Sequence, residues 1–260
     1  MKNAKISRRS FLLGLAACSA AGILTACKGD DTPASSASTS PEAPASSVSE
    51  LEPIGLFTVE DFPKLDGIIL FVIIVDQLIK IEIKTTFSLY ESVNVTEWFK
   101  LLFTENRGMA FGMQFIGTMI LAIFRIFAIA FFVVVLTRYI KRKALYVLII
   151  CLALVISGAA GNIIDNMFYG LIFSESQPYG MPAELVPFGQ GYGSFLSGKV
   201  VDMFYFPLFT WPEWMPLVGG DIFFGAIFNF ADAAISCGAV ALALFYSKTL
   251  MSEGLLPSSK

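Results

Sequence analysis

Four apolar stretches organise the chain, and each is interrupted by polar residues at a few defined places. The first, Gly67–Ile83, carries Asp76 and Lys80 at i, i+4, the favourable order for a helical ion pair. The second, Phe115–Leu136, carries Arg125 near its middle, and the third, Ala144–Ile164, ends in Gly161-Asn162-Ile163-Ile164-Asp165. The fourth, Phe228–Tyr246, holds Asn229, Asp232 and Ser236, which at about 100° per residue share one helix face. At about 1.5 Å per residue that stretch crosses roughly 28 Å of hydrocarbon.

The intervening pieces read differently. Thr86-Phe87-Ser88-Leu89-Tyr90 alternates and predicts short strands within Lys84 to Glu105. Asn94 to Phe103, with Trp98 and Phe99, predicts an amphipathic interfacial piece. The glycines of Asn106-Arg107-Gly108-Met109-Ala110-Phe111-Gly112 suit a tight turn feeding the second stretch. Arg138 to Lys143 has four basic residues and no acid, which the positive-inside rule places in the cytoplasm. Asp165 to Asp221 has six acids against Lys199 alone and therefore belongs on the outer side. Within it, Lys199 to Phe206 sets Asp202 in a strand-like apolar run, and the glycines from Gly180 to Gly198 fit a lid.

Composition agrees with a membrane chain. Of 260 residues 55% are hydrophobic and only 15% charged, whereas soluble domains carry about 25% charge. Histidine is absent, which excludes Ser-His-Asp and Cys-His catalysis and removes the commonest nitrogen ligand of zinc. The four cysteines (Cys18, Cys27, Cys151, Cys237) show no CxxC spacing, so neither a disulfide nor a metal site is expected. No cofactor and no nucleic-acid partner is expected either. Acid–base chemistry falls to carboxylates, Lys, Tyr, Ser or Thr.

Residues 1–27 read as an export signal. Ser7-Arg8-Arg9-Ser10-Phe11-Leu12 is a twin-arginine pattern before an apolar run, and Leu24-Thr25-Ala26-Cys27 looks like a lipobox with Cys27 as its lipidation site. Residues 28–65 are a Ser/Ala/Pro-rich disordered tether, 66–248 the four-span domain, and 249–260 a cytoplasmic tail. An exported residue 28 conflicts with the basic loop, which requires Lys64 to be inside because two spans separate them. Either the signal is not used in the normal way, or the first span is forced out of register, or the signal is appended to the domain, the reading we favour; self-processing at Ala26–Cys27 is a further hypothesis.

Intramembrane charge is expensive and commonly functional, although a carboxylate that only pins helices together is the plainer reading of Asp232, and a self-neutralising pair that of Asp76 and Lys80. Arg125 is expected to face the bundle and meet a carboxylate. Two carboxylates in one partly dry pocket share a proton: the ionised one activates water and the neutral one donates to a carbonyl oxygen. Physics alone leaves five outer acids open: Asp76, Glu105, Asp165, Asp202 and Asp232.

From about Asp66 to Lys248 the chain resembles lipoprotein signal peptidases, the signal peptidase II family. The resemblance rests on Asp76-Gln77-Leu78-Ile79-Lys80, the Asn106–Gly112 turn, Gly161-Asn162-Ile163-Ile164-Asp165, Val200-Val201-Asp202 and Phe228-Asn229-Phe230-Ala231-Asp232, in that order. It implies an all-α membrane fold of four transmembrane helices with a small extracytoplasmic β-element, both ends in the cytoplasm, in the bacterial inner membrane. It implies an aspartic endopeptidase whose dyad is Asp202 and Asp232, with Asp76, Lys80, Asn106, Gly108, Asn162, Asp165 and Asn229 lining or bracing the site. The implied partners are diacylglyceryl-modified prolipoproteins, cut just before the lipidated Cys, and membrane lipids. The family commonly has Arg directly after the Asp of Gly-Asn-x-x-Asp; here Asn166 stands there, and Arg125 is expected to supply the cation. Two other functions stay open: an ion or proton relay through Asp76, Lys80, Arg125, Asp165 and Asp232, and a Ser–Lys peptidase using Lys80.

Overall fold

The first long helix is amphipathic in the reverse sense to a soluble one. Helix α1, Leu65–Thr86, buries Asp76, Lys80 and Lys84 completely, at i, i+4 and i+8. Its apolar residues Leu70, Phe71, Ile74 and Leu78 are exposed. An apolar exterior over a charged interior is the arrangement a hydrocarbon solvent favours. The computed structural model describes residues 65–107, 118–142 and 144–253. The signal-like segment with Cys27, all but the last residue of the tether, Gly108 with the rest of its turn, and the tail beyond Glu253 lie outside the described residues.

Helices α2 (Thr118–Lys141) and α3 (Tyr146–Ile164) follow. Continued by a π-helical segment, Asp165–Tyr169, and a last turn, Gly170–Ile172, α3 runs on to Ile172. Among the described residues, α2 and this extended α3 are long and apolar enough to cross a membrane. Helix α4, Phe230–Phe245, is apolar but only 16 residues long, because Asn229 caps it from outside with extended backbone (ψ −179°). Asn229, Asp232 and Ser236 therefore do not share a helix face; Asn229 is the cap.

Helix α3 is central, packing against α1, α2 and α4. Val135, Leu136 and Tyr139 of α2, Leu148 to Ile156 of α3, and Leu242 of α4 form a dry apolar core at the end nearest the basic loop. At the opposite end α3 and α4 approach so closely that a Cβ on Gly158 would stand 2.3 Å from the Ala231 carbonyl oxygen. Small residues allow such approach where lipid offers helices no hydrophobic drive to associate.

The fold is not all-α. Strands β1 (Ser92–Asn94), β2 (Lys100–Asn106), β3 (Val200–Tyr205) and β6 (Ile227–Phe228) make an antiparallel sheet in the order β1-β2-β3-β6. Strands β4 (Phe209–Thr210) and β5 (Ile222–Phe223) make a separate ribbon. Asn94 to Phe103 is not one amphipathic element: it is the end of β1, a turn over residues 95–99 in which the N–H groups of Val95 and Thr96 both donate to the Phe99 carbonyl, and the first half of β2. Helix α1 also runs past Ile83 to Thr86, so strand structure starts later than the alternation predicts. The glycine-rich segment before β3 is fastened down. Gly193 N–H donates to Gly170 O (2.8 Å), Gly198 N–H donates to Asn166 O (2.9 Å), and a Cβ on Gly198 would lie 2.0 Å from Asp165 O.

Gly158→Ala should force α3 and α4 apart and cost about 1–3 kcal/mol. The expected outcome is a lower apparent Tm in detergent; an unchanged Tm would show that the helices can shift freely at this crossing.

Candidate active site

At the polar end of the bundle, one ammonium meets three acceptors. Lys80 Nζ lies 2.8 Å from Asp76 Oδ2, 2.8 Å from Asp165 Oδ2 and 2.9 Å from Asn162 Oδ1. A lysine has three N–H donors, so all are used. Lys80, Asp76 and Asp165 are wholly buried. Burial of these charges is tolerable because each is paired and hydrogen-bonded further. Asp76 Oδ1 accepts from Ala231 N–H in the first turn of α4 (2.9 Å), and Asp165 Oδ2 accepts from Val201 N–H on β3 (3.3 Å). Gln77 adds a second clamp. Its Nε2 donates to Asp165 Oδ1 (2.8 Å) and Gly161 O (3.1 Å), while its Oε1 accepts from Tyr169 Oη (3.1 Å).

A layer of two amides lies above the ions. Asn162 Nδ2 donates to Asp232 Oδ1 (2.7 Å), and Asn229 Nδ2 donates to Asp202 Oδ1 (2.7 Å) and to Asn162 Oδ1 (3.1 Å). Asn229 also caps α4, its Oδ1 accepting from Asp232 N–H at 2.8 Å, with Asp232 Oδ2 accepting from Asn229 N–H at 3.4 Å. Asp202 is buried on β3, whereas Asp232 is half-buried in the helix's first turn. Burial, reinforced by the neighbouring Asp232 charge, pushes the Asp202 carboxyl up to about 7.

The structure thus gathers Asp76, Lys80, Asn162, Asp165, Asn229, Asp202 and Asp232 into one hydrogen-bonded network. Asn106 ends β2 opposite Val200 and lines a cleft that Asp202 also lines. Gly108 and Cys27 fall outside the described residues. Arg125 does not meet a carboxylate as expected. Its Nη1 donates to Asn166 Oδ1 (2.6 Å), and Asn166 Nδ2 donates to Gly198 O (2.7 Å). The π-helical segment turns Asn166 toward α2 while Asp165 faces Lys80, so the guanidinium braces the chain leading into β3 and lies outside the ion cluster. With its donors spent on two carboxylates and an amide, Lys80 has no hydroxyl to activate, which removes the Ser–Lys reading.

A second charged cluster was not anticipated. Lys84 pairs with Glu105 and donates to Ser176 Oγ (2.9 Å); Lys199 pairs with Glu175 and lies 3.0 Å from Glu105 Oε2. That oxygen accepts no well-directed hydrogen bond and is held by charge. Burial alone would raise the Glu105 carboxyl, but the two ammonium groups and Ser176 carry it below its ordinary value. Lys199, which burial alone would lower, is raised by the same carboxylates. The available signal was Lys84 itself, eight residues beyond Asp76 on the same helix face.

A family model described as signal peptidase (SPase) II matches residues 68–248. The chain is similar to the lipoprotein signal peptidase of Porphyromonas gingivalis, 45% identical over 189 residues, covering 71% of this chain and 83% of that protein. It is similar also to that of Amoebophilus asiaticus, 34% identical over 191 residues, covering 70% and 76%. Among solved structures it is similar to a bacterial membrane enzyme, with a TM-score of 0.49 and 24% identity over 71% of this chain and 92% of that one.

The folded state holds the Asp202 proton more tightly than an unfolded chain does. Its contribution to stability is therefore full below the ordinary carboxylate range and is lost as pH rises to about 7. Asp202→Asn should remove that loss and leave the variant about 2–4 kcal/mol more stable than the parent above neutrality. Apparent Tm at acidic and alkaline pH checks this, and parallel curves for the two proteins would contradict it.

Proposed function

The chain belongs to the signal peptidase II family, and from that premise we propose how it carries out its reaction. It is a membrane endopeptidase that removes signal peptides from prolipoproteins. Asp202 and Asp232 are the reacting pair. Asp202, the deeper acid, keeps the proton near neutrality and donates it to the oxygen of the scissile carbonyl. Asp232, opening toward solvent, takes a proton from a water that attacks the carbonyl carbon. Collapse of the tetrahedral species breaks the C–N bond, and the leaving amine of the lipidated Cys receives a proton from the dyad. The observation that carries this reading is the amide pair: Asn229 grips Asp202, Asn162 grips Asp232, and the two amides bond each other. Each acid has a fixed position relative to the other, which a shared water requires.

In the membrane, α1 to α4 are the four spans of a multi-pass inner-membrane protein. The loop after α2 and both ends are cytoplasmic, and the dyad faces the extracytoplasmic side. The sorting of charge supports this: the basic loop adjoins the apolar core, and the acids gather at the other end. Asp76, Lys80, Asn162, Asp165 and Asn229 brace the dyad, Asn106 lines its approach, and Arg125 positions β3 through Asn166. Phe228 stacks with Phe206 (5.6 Å between centroids), Phe206 with Phe99 (4.7 Å), and Phe228 directly precedes Asn229. That aromatic surface offers the substrate's acyl chains an apolar seat beside the dyad. Residues 66–248 are the peptidase domain, 1–27 an appended twin-arginine lipoprotein signal with Cys27 at its lipobox, 28–65 a tether, and 249–260 a tail.

Purified protein with a lipid-modified prolipoprotein tests the assignment. Asp202→Asn and Asp232→Asn should each lower kcat by about a thousandfold or more, and the double variant should be no worse than either, because the pair acts as a unit. In the parent, kcat should fall as pH rises through about 7, where Asp202 gives up its proton. Full cleavage by either Asn variant removes the dyad.

A further inference from the structure

A prolipoprotein brings three chemically distinct parts to the dyad: an apolar signal segment, acyl chains on the Cys, and the polypeptide that follows. Among the described residues, a polar cleft beside Asp202 suits the third. A cavity of about 710 Å³ is lined by Asp202, by the charged Glu105, Arg107, Glu175 and Lys199, and by a smaller apolar share that includes Leu89 and Ile227. That volume is within the ~300–1,000 Å³ of ordinary ligand sites.

The cavity's walls decide what enters it. Glu105 and Lys199 are nearly buried, while Glu175 is 45% exposed at the opening. Acyl chains or an apolar signal helix lying here would strip water from these charges without replacing its hydrogen bonds, which is costly. A hydrophilic backbone offers N–H and C=O groups in water's place. The cavity also joins the chemistry directly, since Thr104 pairs in register with Asp202 across β2 and β3. The charged cluster meanwhile ties α1 (Lys84), β2 (Glu105), the loop ahead of β3 (Glu175) and the residue before it (Lys199) into one wall.

Building on the peptidase reading, we propose that this cleft is the subsite for the hydrophilic residues immediately after the lipidated Cys, and that Glu175 and Lys199 select against apolar side chains there. A suitable probe stands in the chain itself, where the lipobox Cys27 is followed by Lys28-Gly29-Asp30-Asp31.

The test uses the full-length protein and three prolipoproteins identical through the diacylglyceryl Cys. The four residues after it are Lys-Gly-Asp-Asp, Ser-Asn-Ser-Gly or Leu-Val-Leu-Phe. Both hydrophilic substrates should be cut with a kcat/KM about tenfold above the apolar one, the difference lying in KM. Glu175→Leu with Lys199→Met, which removes the pair together and leaves Glu105 its Lys84 partner, should shrink that ratio to about threefold or less. Glu175→Gln alone should move it in the same direction with little strain on the fold. Equal kcat/KM for the three substrates in the parent, or an unchanged ratio in the variants, overturns the subsite while leaving the peptidase intact. Cleavage of none of the three by the parent overturns the peptidase reading itself.

Discussion

A single ammonium group registers the polar end of the bundle. Lys80 spends its three donors on Asp76, Asp165 and Asn162, and each acceptor passes the constraint to another element. Asp76 takes the first-turn N–H of Ala231 on α4, Asp165 takes Val201 N–H on β3, and Asn162 donates to Asp232. Desolvating three charges costs several kcal/mol apiece, and only a fully satisfied arrangement offsets that. Misplacing any one acceptor strands a buried charge. The cost therefore enforces uniqueness: α1, α3, α4 and β3 have one mutual register in which it is met.

Asp202 and Asp232 inherit different surroundings from that register. Asp202 sits on a strand with its carboxyl buried and one amide donating to it; Asp232 sits in the first turn of a helix, half-buried, with an amide and a backbone N–H donating to it. Deeper burial, with the Asp232 charge beside it, raises the Asp202 carboxyl. Neither difference in setting is made at the two acids themselves. Strand against helix and buried against half-buried are consequences of where β3 and α4 end, and those ends are set by Asp165 and Asp76.

Parts of this could be read from the chain because they are local. Asp76 and Lys80 at i, i+4 on a helix must meet, and Asp202 in an apolar alternating run does form a strand. The dyad was another matter. Five outer acids were equivalent on physical grounds, and only the family resemblance picked two of them. Asn229 was misread because helical periodicity cannot say where a helix begins, and the cap sits outside the period. Arg125 was misassigned because intramembrane cost says that a partner exists but not which: Asn166 reaches it through a π-helical segment that shifts the angular register. The Glu105–Lys199 cluster joins residues far apart in the chain, and no local pattern encodes such a pair. A small β-element and a strand-like setting for Asp202 were expected; the four-stranded pairing that joins β2, β3 and β6 was not, because long-range strand pairing has no local signal.

Hydrocarbon explains why the buried polar network is also what holds the helices together here. In water, helices associate by burying apolar faces. In lipid that drive vanishes, and packing of small residues and polar contacts remain. Helix α1 presents Leu70, Phe71, Ile74 and Leu78 outward, and its inward grip on α3 and α4 runs through Asp76, Gln77 and Lys80. The groups that brace Asp202 and Asp232 are thus the groups that hold the helices. A soluble enzyme can loosen its active site and still rely on a distant core. Among the described residues the apolar core lies at the end nearest the basic loop, so at the opposite end the polar network has to serve as the core.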